Sequence, residues 1–173
     1  MIVWINGPFG AGKSTVAQLL ARRWPDATVF DPEQLGFLLR TWYPPGAVVD
    51  DFQDLSGWRR LVVEAAAGLL RDFGRPLIVP MTLLRPEYFD EIVGALRDEG
   101  VDVRHFCLVA DRDEVVRRVG RRGQPDWALK KFDEYSPTLH DARFDVHLDA
   151  VALDADALAA TIAASIGLPE EVR

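Results

Sequence analysis

Gly7-Pro8-Phe9-Gly10-Ala11-Gly12-Lys13-Ser14 is the stretch whose residue types and spacing could do chemistry. It satisfies G-x-x-x-x-G-K-[ST] at every defined position. The glycines let the backbone fold tightly enough that successive N–H groups point into one concavity. A helix beginning there adds the partial positive charge of its N-terminus, and the two together suit a triphosphate. In such a loop Lys13 reaches the β- and γ-phosphates and the Ser14 hydroxyl holds Mg²⁺. Residues Gly7 to Ser14, with the adjoining Thr15, are therefore the expected cofactor contacts. The plain alternative is a glycine-rich turn before a helix.

Two further groups could act on a phosphate held there. Asp31 ends a short apolar run, residues 27–31, that reads as a second strand. Open α/β sheets bind ligands at the carboxyl ends of their strands, and a carboxylate there can orient an acceptor hydroxyl, take its proton, or steer Mg²⁺ through water. Its other reading is the cap of the helix starting at Pro32. The second group is Arg117, Arg118, Arg121 and Arg122, a basic cluster in a chain of net charge -7. Arg117 and Arg121, four apart, share a face of a continuing helix, as do Arg118 and Arg122. A planar, permanently charged guanidinium suits phosphate or adenine; a solvated helix end is the alternative. Gly120, Gly123 and Pro125 could hinge a short lid there.

The elements that must position these groups alternate. Residues 2–6 read as a buried strand before the loop, and residues 15–23 carry apolar positions at helical spacing. Helix is expected over 33–42, with Leu35, Leu38 and Leu39 on one face, and over 56–73, ended by Gly74. Residues 76–80 are continuously apolar, as a central parallel strand should be, and place Met81-Thr82 beside the phosphate loop. Helix 85–98, strand 103–109, a helix capped by Asp111, helix 127–135, strand 144–149 and an Ala-rich helix 154–166 complete the series. Five alternations predict an α/β protein, a parallel sheet covered by helices on both faces, as one domain over residues 1–173.

At 173 residues the chain can bury a proper core, and its acidic balance argues against a nucleic-acid partner. Cys107, the single cysteine, reads as core and fits a reducing compartment. No uncharged apolar stretch nears the ~18 residues of a membrane span, and the apolar run at the N-terminus is too short for a signal peptide. A cytoplasmic protein without membrane insertion is expected. His105, His140 and His147 lack metal-ligand spacing. Glu33 and the group Asp50, Asp51 and Asp54 read as helix-start bias and a solvated loop, or else as help for a metal. Phe37, Trp42, Tyr43, Phe52 and Trp58 read as core or as an aromatic acceptor pocket.

With the phosphate loop, Asp31-Pro32-Glu33 and the arginine cluster taken together, the chain resembles small P-loop kinases of the shikimate- and adenylate-kinase type. More narrowly, the run from Ile2 to Lys13, followed by Phe30-Asp31-Pro32-Glu33-Gln34-Leu35-Gly36-Phe37-Leu38-Leu39-Arg40, is similar to the tunicamycin-resistance proteins, bacterial ATP-binding proteins. The resemblance implies a three-layer P-loop NTPase fold with a five-stranded parallel sheet and a short arginine-bearing lid near 117–128. It implies ATP and Mg²⁺ as cofactors and γ-phosphoryl transfer to a hydroxyl of a nucleoside-like antibiotic such as tunicamycin. Lys13, Asp31 and Arg121 would be catalytic, Arg117 and Arg121 would contact ATP, Asp31 and Arg40 the acceptor, and Ser14 and Asp31 the metal. One departure stands out: the third strand ends Val79-Pro80-Met81-Thr82 without the carboxylate that many P-loop enzymes use to hold Mg²⁺. Sequestration of the antibiotic without modification, or a metabolic nucleoside or sugar kinase, are the competing functions. Monomer and homodimer both stay open.

Overall fold

The computed structural model describes residues 1–120, 125–144 and 146–169. Five strands, β1 (Ile2–Asn6), β2 (Thr28–Val29), β3 (Leu77–Pro80), β4 (Val103–Val109) and β5 (Val146–Asp149), form one sheet in the order β2-β3-β1-β4-β5. Every pairing is parallel, with Trp4 opposite Val79 on one side and His105 on the other. Residues of β1 alternate between two cores. Ile2 and Trp4 pack with Trp58, Val62 and Ile92 on one face, while Val3 and Ile5 pack with Val16, Leu20, Leu158 and Ile162 on the other. Burial on both faces is why the central strands carry no polar alternation.

The helices are α1 (Lys13–Arg23), α2 (Glu33–Arg40), α3 (Ser56–Phe73), a rod of α4 (Pro86–Phe89), a π turn (Asp90–Gly94) and α5 (Ala95–Asp98), then α6 (Arg112–Val119), α7 (Pro125–Tyr135) and α8 (Ala155–Ser165). Asp111 and Asp154 cap α6 and α8 by accepting from the Glu114 and Ala157 N–H groups, each at 2.8 Å. α1 and α8 cover one face and α3 with the α4–α5 rod the other, the three-layer arrangement.

Three expectations need correction. β2 is two residues long rather than five, because it is the sheet edge and Pro32 turns the chain into α2, although the Phe30 N–H still reaches the Ile78 carbonyl at 2.9 Å. Leu38 is exposed: only the Leu35 and Leu39 side of α2 packs inward. Asp51 is buried, not solvated, and its side chain caps a 3₁₀ turn at Phe52–Asp54.

Candidate functional site

The phosphate loop leaves β1 at Asn6, turns through Gly7, Gly10 and Gly12, and enters α1 at Lys13. Gly7 has φ +131°, and a Cβ there would lie 2.5 Å from the Leu108 carbonyl oxygen of the neighbouring strand, so no other residue fits. The Asn6 side chain holds this corner. Its Oδ1 accepts from the N–H groups of Gly7 (2.8 Å) and Leu83 (2.7 Å), and its Nδ2 donates to the Leu83 carbonyl (2.7 Å) and to His105 Nε2 (3.1 Å). Burial, joined by the charges of Arg97 and His147, pushes the His105 imidazole down to about 3, so it is neutral and can accept that bond. The Lys13 ammonium donates to the carbonyls of Gly7 (3.1 Å) and Pro8 (2.9 Å) and stands 5.5 Å from the Phe9 ring centroid. Ser14, at the open start of α1, faces the same space.

That space is a cavity of about 640 Å³. Its aromatic walls are Phe9, Phe37, Phe52 and Trp127, and its polar groups include Lys13, Glu33, Arg40 and Gln53. Gly36 lets α2 approach closely, since a Cβ there would come within 2.6 Å of the Phe52 ring. The glycine of the aspartate-proline-glutamate-x-x-glycine element thus shapes the cavity wall. Burial raises the Glu33 carboxyl above its ordinary 4.5, against the pull of Lys13 and with the push of Asp31 and Asp51. Asp31 is half-buried behind it and does not line the cavity; its Oδ1 accepts the Glu33 N–H at 3.0 Å. Arg40 lies over the Phe52 and Phe37 rings, 5.5 and 5.7 Å from their centroids.

Of the five aromatics singled out in the sequence, Phe37 and Phe52 line the cavity. Trp58 is core, donating to the Pro32 carbonyl at 3.1 Å, and Trp42 is 69% exposed. Phe9 and Trp127, which meet edge to face at 4.7 Å, complete the wall instead. Behind it lies a network that spacing alone did not reveal. Lys131 of α7, only 2% exposed, reaches Asp50 (3.3 Å), Asp51 (3.9 Å) and Glu134 (3.1 Å), and these carboxylates hold its ammonium charged. Tyr135 donates to Asp51 at 3.2 Å, and Arg59 clamps the Gln53 carbonyl at 2.5 Å while pairing with Glu91 at 2.6 Å.

On the opposite side of the loop lies a second hollow of about 290 Å³, lined by Gly10, Gly12, Thr15, Arg118 and apolar residues of the β5–α8 connection. The arginine that reaches it is Arg118. Its Nη1 donates to the Ala11 carbonyl (3.0 Å) and its Nη2 to the Ala150 carbonyl (2.7 Å). Arg117 instead projects outward, paired with Glu114 at 2.6 Å, and Glu114 also holds Arg118. The pair that spacing left open is thereby divided: Arg118 faces the loop and Arg117 the solvent. Arg121, Arg122 and Gly123 lie outside the described residues, so the lid expected over 117–128 is described only at its ends, α6 and the start of α7.

The Cys107 thiol, buried in β4, is pushed up to about 12. His140 and His147, seven residues apart, come together with ring centroids 5.4 Å apart, and His147 bonds the Leu139 carbonyl. Among the described residues no group of three His, Cys, Asp or Glu side chains is placed to hold a metal, and no helix is long and apolar enough to cross a membrane.

A parallel sheet of order 2-3-1-4-5 with a glycine loop between β1 and α1 defines a P-loop kinase-like fold. A family model described as an AAA domain matches residues 2–136. The tunicamycin resistance protein of Deinococcus radiodurans superposes with a TM-score of 0.83 at 35% identity, covering 97% of this chain and 96% of that one. The chain therefore belongs to the tunicamycin-resistance family of P-loop kinase-like proteins. Two more distant likenesses bear on fold alone. A sugar kinase from Janibacter sp. HTCC2649 has a TM-score of 0.72 at 18% identity, covering 96% of this chain and 94% of that one. The APS kinase of Mycobacterium tuberculosis, in complex with AMPPNP and APS, has 0.68 at 23%, covering 95% of this chain and 96% of that one. No curated protein sequence matches the chain significantly.

Proposed function

We propose that the protein is a phosphotransferase that carries the γ-phosphoryl group of ATP to a hydroxyl of a small nucleoside-like acceptor, with tunicamycin the candidate named by its relative. One observation carries the reading: Gly10 and Gly12 border both hollows, so a nucleotide on the Arg118 side and an acceptor on the Glu33 side would meet over the same loop amides and Lys13. In-line transfer needs this juxtaposition, because catalysis of phosphoryl transfer is mostly positioning and charge stabilisation.

In this mechanism the loop N–H groups and Lys13 hold the β- and γ-phosphates, and Arg121 adds positive charge on the transferring group. Ser14, which faces the larger hollow, would offer Mg²⁺ a hydroxyl oxygen and Asp31, set back from the cavity lining, would reach the ion through water; the metal would neutralise phosphate charge. Glu33 orients the acceptor hydroxyl and receives its proton, a role suited to a carboxyl that burial makes hold a proton more tightly than usual. Asp31 is assigned the metal side because one of its oxygens already serves the α2 N-terminus. Arg40, stacked on the cavity rings, contacts the acceptor. One domain over residues 1–173, working in the cytoplasm, carries all of this.

Mass spectrometry of tunicamycin and a panel of nucleosides and sugars, after incubation with the protein, ATP and Mg²⁺, tests the reading. A gain of one phosphoryl group on a panel member, absent with Lys13→Ala, supports it. ATP-dependent retention of the antibiotic without any mass gain overturns transfer in favour of sequestration, the reading favoured by the third strand ending Val79-Pro80-Met81-Thr82 without a metal-holding carboxylate.

A further inference from the structure

The carbonyls that Lys13 grips belong to Gly7 and Pro8, both buried, and a buried carbonyl stripped of its donor carries a desolvation penalty. A lysine that must move onto a phosphate would strand them. Each carbonyl, however, has a second donor. The Pro8 oxygen accepts the Ala11 N–H at 3.2 Å, within the loop's own turn. The Gly7 oxygen accepts the Thr82 hydroxyl at 2.9 Å, from a residue 75 positions away just beyond β3.

Thr82 is fully buried and is held in place from the loop itself. Both backbone polar groups of the next residue, Leu83, bond to the Asn6 side chain, which also takes the Gly7 N–H. With His105 Nε2 accepting the remaining hydrogen, all four hydrogen-bonding positions of the Asn6 amide are used. Residues 82 and 83 therefore grip Gly7 at both its N–H and its carbonyl.

We propose that Thr82 is a positioning residue of the phosphate loop: its hydroxyl keeps the Gly7 carbonyl hydrogen-bonded when Lys13 transfers from the loop to a phosphate. This rests on the reading above that Lys13 engages the nucleotide. The lysine then changes partners without leaving either carbonyl unpaired, and the loop keeps its shape between the two states.

The arrangement makes an asymmetric prediction. In nucleotide-free Thr82→Val the Gly7 carbonyl still has Lys13, so the melting temperature stays near that of the wild type. In the nucleotide-bound variant the carbonyl is orphaned, so Mg·AMPPNP measured by titration calorimetry on the full chain binds about tenfold more weakly. Thr82→Ser restores the affinity, and Thr82→Ala serves as a second hydroxyl-free variant should valine pack badly. A threonine that merely stabilised the fold would show the reverse: a lower melting temperature and unchanged affinity.

The shared acceptor gives a second readout that needs no nucleotide. Without ligand, Lys13→Met with Thr82→Val should lose more stability than the sum of the two single variants, because only the pair leaves Gly7 bare. Additive losses in that cycle, or wild-type affinity in Thr82→Val, overturn the proposal. Equal binding of Mg·AMPPNP by wild type and Lys13→Met would instead overturn the role of Lys13 in nucleotide binding, and the ligand-free cycle would still report on the shared carbonyl.

Discussion

The hollow on the Arg118 side is walled by α1, the β5–α8 connection and α8, and Arg118 is its one charged residue among those described. Its arginine bonds to backbone carbonyls, so what this side offers a ligand is shape and loop amides. The larger hollow on the Glu33 side is made differently. Carboxylates, a lysine, an arginine and four aromatic rings converge there from the loop, α2, the 48–53 segment and α7, held from behind by the Lys131 and Arg59 networks. A side built from backbone and apolar contacts tolerates change in most of its side chains. A side built from converging charges can be retuned, or broken, by one.

Lys13 lines the larger hollow beside Gly10 and Gly12, which both sides share, and Lys13→Ala should lower transfer by about a thousandfold in a coupled ADP-release assay, the scale of losing a charge-stabilising donor. Lys131→Met should break the Glu33 side alone. It leaves the buried Asp51 without its cation, while Asp50 keeps Lys130 at 3.9 Å, at a cost of about 3 kcal/mol in chemical denaturation, and Mg·AMPPNP affinity stays unchanged. If nucleotide affinity falls in parallel, the two sides are not independent. Glu33→Gln should reduce transfer by roughly a hundredfold yet raise the melting temperature at pH 7. The sign follows from its raised carboxyl. The folded chain holds that proton more tightly than the unfolded chain, so the stability cost is present above the raised value and disappears below 4.5, where both states are protonated. The gain from glutamine should accordingly vanish in melts below pH 4.5. Arg118→Ala should weaken Mg·AMPPNP by about tenfold through a distorted loop. Arg117→Ala, which removes an outward-facing pair, should leave both stability and binding close to those of the wild type.

The phosphate-loop side was legible because its signal is local: glycines at fixed spacing, a strand before them and a helix after. The bounds of α3 and β4 coincide with the apolar periodicity for the same reason. The Glu33 side was not legible, because its residues become neighbours only in the fold. Asp50, Asp51 and Asp54 look like a solvated acidic loop until Lys131 arrives from α7. Of the neighbours Lys130 and Lys131, only the second is buried. Glu33 looked like a helix-start charge because the cavity that gives it meaning is closed by Phe52 and Trp127, far along the chain. A usable hint for the arginines was present: Arg118 lies three residues from buried Val115 and beside buried Val119, on the inward edge of α6, while Arg117 does not. Counting four between Arg117 and Arg121 could not weigh that edge.

The edge-to-face contact of Phe9 with Trp127 has an optical consequence. Of five tryptophans, Trp4 and Trp58 are sealed in the core, Trp24 is half-buried at the end of α1 and Trp42 is exposed, whereas Trp127 touches the loop ring over which the Lys13 ammonium rests. An indole's emission wavelength follows the electric field across it. On the proposed function, arrival of a polyphosphate would change that field and move the nearest cation, so Trp127 emission would report occupancy in the native protein without a label.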